Sequence, residues 1–137
     1  MGLRISKKKV TNSGQQANSS GSISDQVIEL VNQKRAASGV SALTKNSVLT
    51  DSAQTHADFI ANSGSTSLPH SVNSTGFSYW AENLALVPES NNVSGQAVSN
   101  WIKSSGHYAN MMKNYASTGV GFSCRQGYCV IVQQFGS

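Results

Sequence analysis

Trp101-Ile102-Lys103-Ser104-Ser105-Gly106-His107-Tyr108-Ala109-Asn110-Met111-Met112 closes one helix, breaks, and starts another. On its N-terminal side, a helix opening near Ser94 buries Ala97, Val98, Trp101 and Ile102 at the spacing of one helical face. Ser104-Ser105-Gly106 breaks that helix, since serine hydroxyls compete for backbone groups and glycine pays a large entropic cost in a helix. A short fourth helix then holds Ala109–Met112, with His107 near its start.

Outward from this stretch the pattern is helical toward the N-terminus and extended toward the C-terminus. Helix one is predicted over residues 24–38, with Val27, Ile28, Val31 and the stem of Arg35 on one face and Gly39 at a left-handed cap. Helix two begins at Asn46, a good N-cap, and ends at Gly64, with Leu49, Ala53, Ala57, Ile60 and Ala61 as its core stripe. Residues 65–80, rich in Ser, Thr and Gly, read as a loop, and Ala81–Leu86 as a short strand. Beyond the fourth helix the period changes. Val120, Phe122 and Cys124 alternate on one strand, and Val130 and Val132 alternate with Ile131 and Phe135 on another. Between them Arg125-Gln126-Gly127-Tyr128 reads as a four-residue hairpin loop that sets Cys124 opposite Cys129, positioned for a disulfide; two free thiols are the alternative. These elements make residues 22–137 one α+β domain.

The net charge of +4 would suggest a polyanionic partner, but Arg4, Lys7, Lys8 and Lys9 carry all of it. From Asp25 onward six bases balance six acids, which excludes nucleic-acid binding by the folded part. Residues 1–21 form a basic tail rich in Ser, Asn and Gly, with too little to bury to offset its ordering entropy, and are expected to be flexible. Met1-Gly2-Leu3-Arg4-Ile5-Ser6 fits N-myristoylation at Gly2, with Lys7–Lys9 as the second membrane signal; a linker in front of the domain is the other reading. No apolar run is long enough for a transmembrane segment.

Three histidines are present. His56 lies inside helix two as a partly exposed packing residue, His70 follows Leu68-Pro69 in a loop, and His107 sits at the helical break. Glu82, flanked by Ala81 and Asn83-Leu84-Ala85, is a carboxylate in a small, apolar setting and needs partners there. Two imidazoles and a carboxylate suit a three-ligand divalent site with an open position, and suit equally a hydrogen-bonded network with no metal.

Leu68-Pro69-His70-Ser71, Ala81-Glu82-Asn83-Leu84-Ala85, the Trp101–Met112 stretch and Gly119-Val120-Gly121-Phe122 occur in the order found in the CAP superfamily of cysteine-rich secretory, antigen-five and pathogenesis-related class-one proteins. They resemble that family's His-bearing loop, its (G/A)-E-N-(I/L)-A block, its W-x-x-S-x-G-H-x-x-N block in bacterial-type form, and its closing G-V-G strand. Asn32, Arg35, Gly39 and Leu43 are similar to its N-x-x-R-x-x-x-G-x-x-x-L opening. The resemblance implies a three-layer α-β-α sandwich around a central antiparallel sheet, with a cleft lined by histidines and acidic residues. By motif position these are His70, Glu82 and His107, the implied ligands of a divalent cation, zinc or magnesium, that some members bind in this cleft; no cofactor is expected to be required. Where larger members carry W-x-x-E this chain has Ser104, which removes one charge from the cleft.

The function implied is that of a secreted, non-enzymatic domain acting by binding a lipid or sterol, or a protein partner. Phe77, Tyr79 and Trp80 are candidates to line an apolar site, with core packing as their alternative role. The other class is a hydrolase using a metal-activated water at His70, Glu82 and His107, or Ser71 or Ser105 as nucleophile, though neither serine lies in a nucleophile elbow. A disulfide requires an extracytoplasmic setting and so favours secretion, in conflict with a membrane-associated form acylated at Gly2.

Overall fold

The computed structural model describes residues 21–137. The tail expected over residues 1–21, and with it the acylation site at Gly2, lies outside the described residues apart from Gly21. In chain order the elements are α1 (Ile23–Ala37), β1 (Thr44–Lys45), α2 (Ser47–Ser63), β2 (Trp80–Pro88), α3 (Val93–Ile102), α4 (Ser105–Met112), β3 (Ser117–Arg125) and β4 (Tyr128–Gly136).

Local chemistry sets the helix ends. Ser22 caps α1 by accepting the Asp25 N–H at 3.1 Å, and Asn46 caps α2 by accepting the Leu49 N–H at 3.0 Å. α2 terminates at Gly64, whose φ of 69° is left-handed. α4 starts earlier than the sequence suggests. Ser104 is its N-cap, so Ser105 and Gly106 form the first turn instead of a gap.

The strands form one sheet in the order β1-β3-β4-β2. β2 and β3 both run antiparallel to β4, but β1 pairs parallel to β3 through Thr44 and Lys45. The sheet is therefore mixed, not purely antiparallel as expected. Parallel neighbours need a long crossover, and here the connection from β1 to β3 runs through α2, β2, α3 and α4. The β3–β4 hairpin is also tighter than expected, because Arg125 pairs with Tyr128 and only Gln126-Gly127 turns. Both turn residues have positive φ, 54° and 84°, the twist that suits a two-residue hairpin. Cys124 and Cys129 pair directly across it and are disulfide-bonded.

Layering follows from the alternation of β2 and β4. Leu84, Val130 and Val132 pack against Ala53, Ala57, Ile60 and Ala61 of α2. On the other face Ala85, Val87, Ile131 and Phe135 pack beneath Val27 and Val31 of α1, Trp101 of α3 and Met111 of α4. Ile102, expected in this core, is 38% exposed at the end of α3. Over Gly119 and Gly121 of β3, α2 lies against the sheet with no side chain between: a Cβ on Gly119 would fall 2.1 Å from Thr50 N, and one on Gly121 2.4 Å from Gln54 Cα. Gln54 secures the contact by donating to Phe122 O at 2.8 Å and accepting from Phe122 N at 3.1 Å.

Arg35 closes the other layer. Its side chain was expected to bury only its stem, yet the whole residue is inaccessible to solvent. The guanidinium donates to Ser41 O (2.8 Å), Met111 O (2.7 Å), Lys113 O (2.7 Å) and Tyr115 O (3.1 Å). It thereby joins α1 to the C-terminal end of α4, where carbonyls and the helix dipole favour a cation. Burial pushes its pKa down from the ordinary arginine value.

Candidate functional site

The site is built around β2, which is an edge of the sheet. Glu82 lies on the α2 face, while its neighbour Asn83 turns to the opposite layer, so one dipeptide reaches both sides. The Glu82 side chain is fully buried. Its Oε1 accepts from Ser71 N (2.9 Å) and lies 3.0 Å from His70 Nδ1. Its Oε2 accepts from Ser71 Oγ (2.6 Å) and from Gln134 Nε2 (2.9 Å). Burial raises the carboxyl pKa, but the hydrogen bonds from Ser71, Gln134 and His70 outweigh it and leave the group below its ordinary value. Glu82 is thus a carboxylate at neutral pH, so His70 Nδ1 carries the hydrogen and the lone pair of the neutral ring lies on Nε2.

His70 is positioned from α2. His56, read as a packing residue, stacks on Phe59 and places its Nε2 2.6 Å from Pro69 O, holding the residue before His70. The His70 side chain itself remains 60% exposed.

His107 comes from the opposite layer. Its Nδ1 lies 2.8 Å from Ser104 Oγ, the N-cap hydroxyl, which is thereby diverted from capping the backbone. Asn83 Nδ2 donates to His107 O at 3.0 Å, and Asn110 Nδ2 donates to Asn83 Oδ1 at 3.0 Å. Burial first, and repulsion from the neighbouring His70 when both rings are protonated second, lower the His107 pKa from its ordinary value.

His70 and Glu82 are therefore in contact, whereas His107 bonds to Ser104 and not to Glu82. Both rings use Nδ1, and neither Nε2 has a hydrogen-bond partner among the described residues. The one group of three His, Cys, Asp or Glu among the described residues with ligand atoms within 4.8 Å of one another is Glu89 with Cys124 and Cys129. Those two sulfurs are joined to each other, so neither is a thiolate able to bind a metal. Of the serines offered as nucleophiles, Ser71 is bound to Glu82 and Gln134, and among the described residues neither it nor Ser105 hydrogen-bonds to an imidazole. Phe77 packs its ring over Gly136, Tyr79 is 71% exposed, and Trp80 is half-buried.

The model of the cysteine-rich secretory protein family, CAP, matches residues 28–135. The chain belongs to this family. Its CAP fold is similar to that of an extracellular protein containing an SCP domain from Bacillus anthracis, with 21% identity and a TM-score of 0.67 over 83% of this chain and 40% of that one. This CAP chain thus spans about two fifths of that relative. It is also similar to an outer surface protein of Borrelia burgdorferi, with 15% identity and a TM-score of 0.71 over 82% and 90% of the two chains. NaASP2, solved with Zn2+, has 14% identity and a TM-score of 0.68 over 90% and 84%. No curated protein matches the chain. No helix among the described residues is long and apolar enough to cross a membrane.

Gln134, His56 and Asn83 complete the site without a role expected from sequence, and Ser104, expected only as a lost charge, is the partner of His107.

Proposed function

We propose that this CAP domain is an extracytoplasmic binding module whose cleft takes a divalent cation through Nε2 of His70 and Nε2 of His107. Glu82 and Ser104 then act as orienting partners of the rings, and Glu82 is not a third ligand. The observation that carries this reading is the engagement of both Nδ1 atoms, one by a carboxylate and one by a hydroxyl, with both Nε2 atoms left without protein partners. Metal-bound imidazoles are ordinarily held this way. Both oxygens of Glu82 already have two partners each, so it has little left to give a metal. A two-imidazole donor set suits zinc and does not suit magnesium, which takes oxygen ligands. The disulfide and the extracellular relative from Bacillus anthracis support a secreted location.

Zinc titration monitored by histidine ring resonances tests the reading. His70 and His107 should shift together while His56, its Nε2 facing Pro69 O, stays in place. Substituting His70→Ala should abolish the joint response, and Glu82→Gln should weaken zinc binding about tenfold without abolishing it. A shift of one histidine alone overturns the proposal.

The Ser104–His107 contact also resembles a nucleophile–base pair, so a hydrolytic reading moves from Ser71 and Ser105 to Ser104. No acid orients the free Nε2 of that pair, as a triad would require. Ester cleavage lost in Ser104→Ala would favour it. A lipid or sterol at Phe77, Tyr79 and Trp80 has less behind it, since only Tyr79 of the three is exposed.

A further inference from the structure

At the end of the molecule where α2 stops, the sheet outruns its helix. α2 ends at Ser63, while β3 and β4 continue to the Gln126-Gly127 turn. The uncovered strip is a groove of about 470 Å³. Ile60, Ala61, Leu86 and Val130 make its apolar wall, and the hairpin and residues 64–66 make its rims. Tyr128 stands on the rim 53% exposed, a large ring left in water.

Charge decides the kind of ligand that fits. Among the described residues Arg125 is the only charged one lining the groove, and no carboxylate lines it. Its guanidinium is held by one long hydrogen bond, 3.3 Å to Asn62 Oδ1, which leaves most of its donors free among the described residues. The nearby acid, Glu89, lies against the disulfide sulfurs, which belong to the opposite face of the hairpin. An apolar wall beside a single unopposed guanidinium complements a ligand with an apolar body and one carboxylate. The groove is partly open to solvent, and Thr66 and Tyr128 bring hydroxyls to its lining, while that of Ser65 is engaged by Ser67. An acyl chain gains most from a closed apolar channel, whereas a peptide uses rim hydroxyls for its amides.

We propose that this groove binds the carboxyl terminus of a partner polypeptide ending in an apolar residue. The last side chain lies on Ile60, Leu86 and Val130, and the terminal carboxylate lies on Arg125. The site is separate from the histidine cleft, and its test needs no metal.

The probe is an N-acetylated pentapeptide ending in leucine, titrated into the metal-free domain and followed by backbone amide resonances. Its C-terminal amide and decanoate serve as the comparison ligands. The free acid should shift the amides of Ile60, Leu86, Arg125 and Val130 and bind about tenfold more tightly than the amide. Arg125→Gln, on an exposed side chain, should keep the melting temperature and erase the difference between acid and amide. Equal binding of acid and amide by the parent protein overturns the proposal, as does binding of decanoate as tight as that of the peptide. So does the absence of any shift at about 5 mM peptide, since a specific site should exceed that millimolar scale. Shifts of the same residues with protein concentration alone would mean that a second copy fills the groove, which also overturns it.

Discussion

Glu82 and Arg35 are both buried charges, one on each side of the sheet, and neither is neutralised by an ion of fixed opposite charge. Arg35 is satisfied entirely by backbone carbonyls, four of them, drawn from two separate stretches of chain. Glu82 is satisfied mainly by side chains, and one of these, His70, reaches the surface. The difference separates two uses of a buried charge. Backbone acceptors do not titrate, so Arg35 serves as a fixed rivet between α1 and the end of α4. The partners of Glu82 can change protonation or bind a ligand, so its environment connects the core to the cleft.

The strongest way to break this contrast is to remove the rivet. Arg35→Met leaves four carbonyls without their donor, two of them in buried hydrogen bonds, and urea unfolding should show a loss of about 4 kcal/mol. Glu82→Gln should cost less, about 3 kcal/mol in the same measurement, because one amide group must oppose donors that served a carboxylate. Reduction of the disulfide comes next. The loop between Cys124 and Cys129 is short, so reduced and oxidised protein should differ by at most about 2 kcal/mol, and thiol labelling should fail until the protein is reduced.

The smallest effect is a two-step acid response. The folded pKa of His107 is below 6.5, so the folded state favours the neutral ring. Its contribution is complete above pH 6.5 and is lost as pH falls from there through the lowered value. Glu82, depressed below 4.5, holds its contribution above that pH and loses it as pH falls through its own folded value. Urea midpoints should therefore decline gently below pH 6.5 and more steeply below 4.5, and His107→Gln should remove only the gentle part.

The sequence made these two charges unequally visible. Arg35 shares the helical face of Val27 and Val31, so its burial follows from spacing, but its acceptors are 76 to 80 residues away or in irregular chain. Glu82 stood out as a carboxylate among small residues, yet Gln134 reaches it only through the β2–β4 register. α2 was legible at both ends because Asn46 and Gly64 are chemical caps. β1 was not, since two exposed residues carry no alternation and exist as a strand only through β3. The start of α4 was misplaced because Ser104-Ser105-Gly106 reads as a break when taken alone, while in the fold Ser104 is the N-cap of α4.

Gly119 and Gly121 act as a gauge block. With helix backbone resting on strand backbone, the height of α2 above the sheet is set by atoms that have no rotamers. The chain leaves α2 at Gly64 and, six residues later, delivers His70 to Glu82. Any side chain added at either glycine would lift the helix like a shim, and the error would be passed along that short span to the imidazole. The tolerance of the cleft is thus machined at two positions that never touch it.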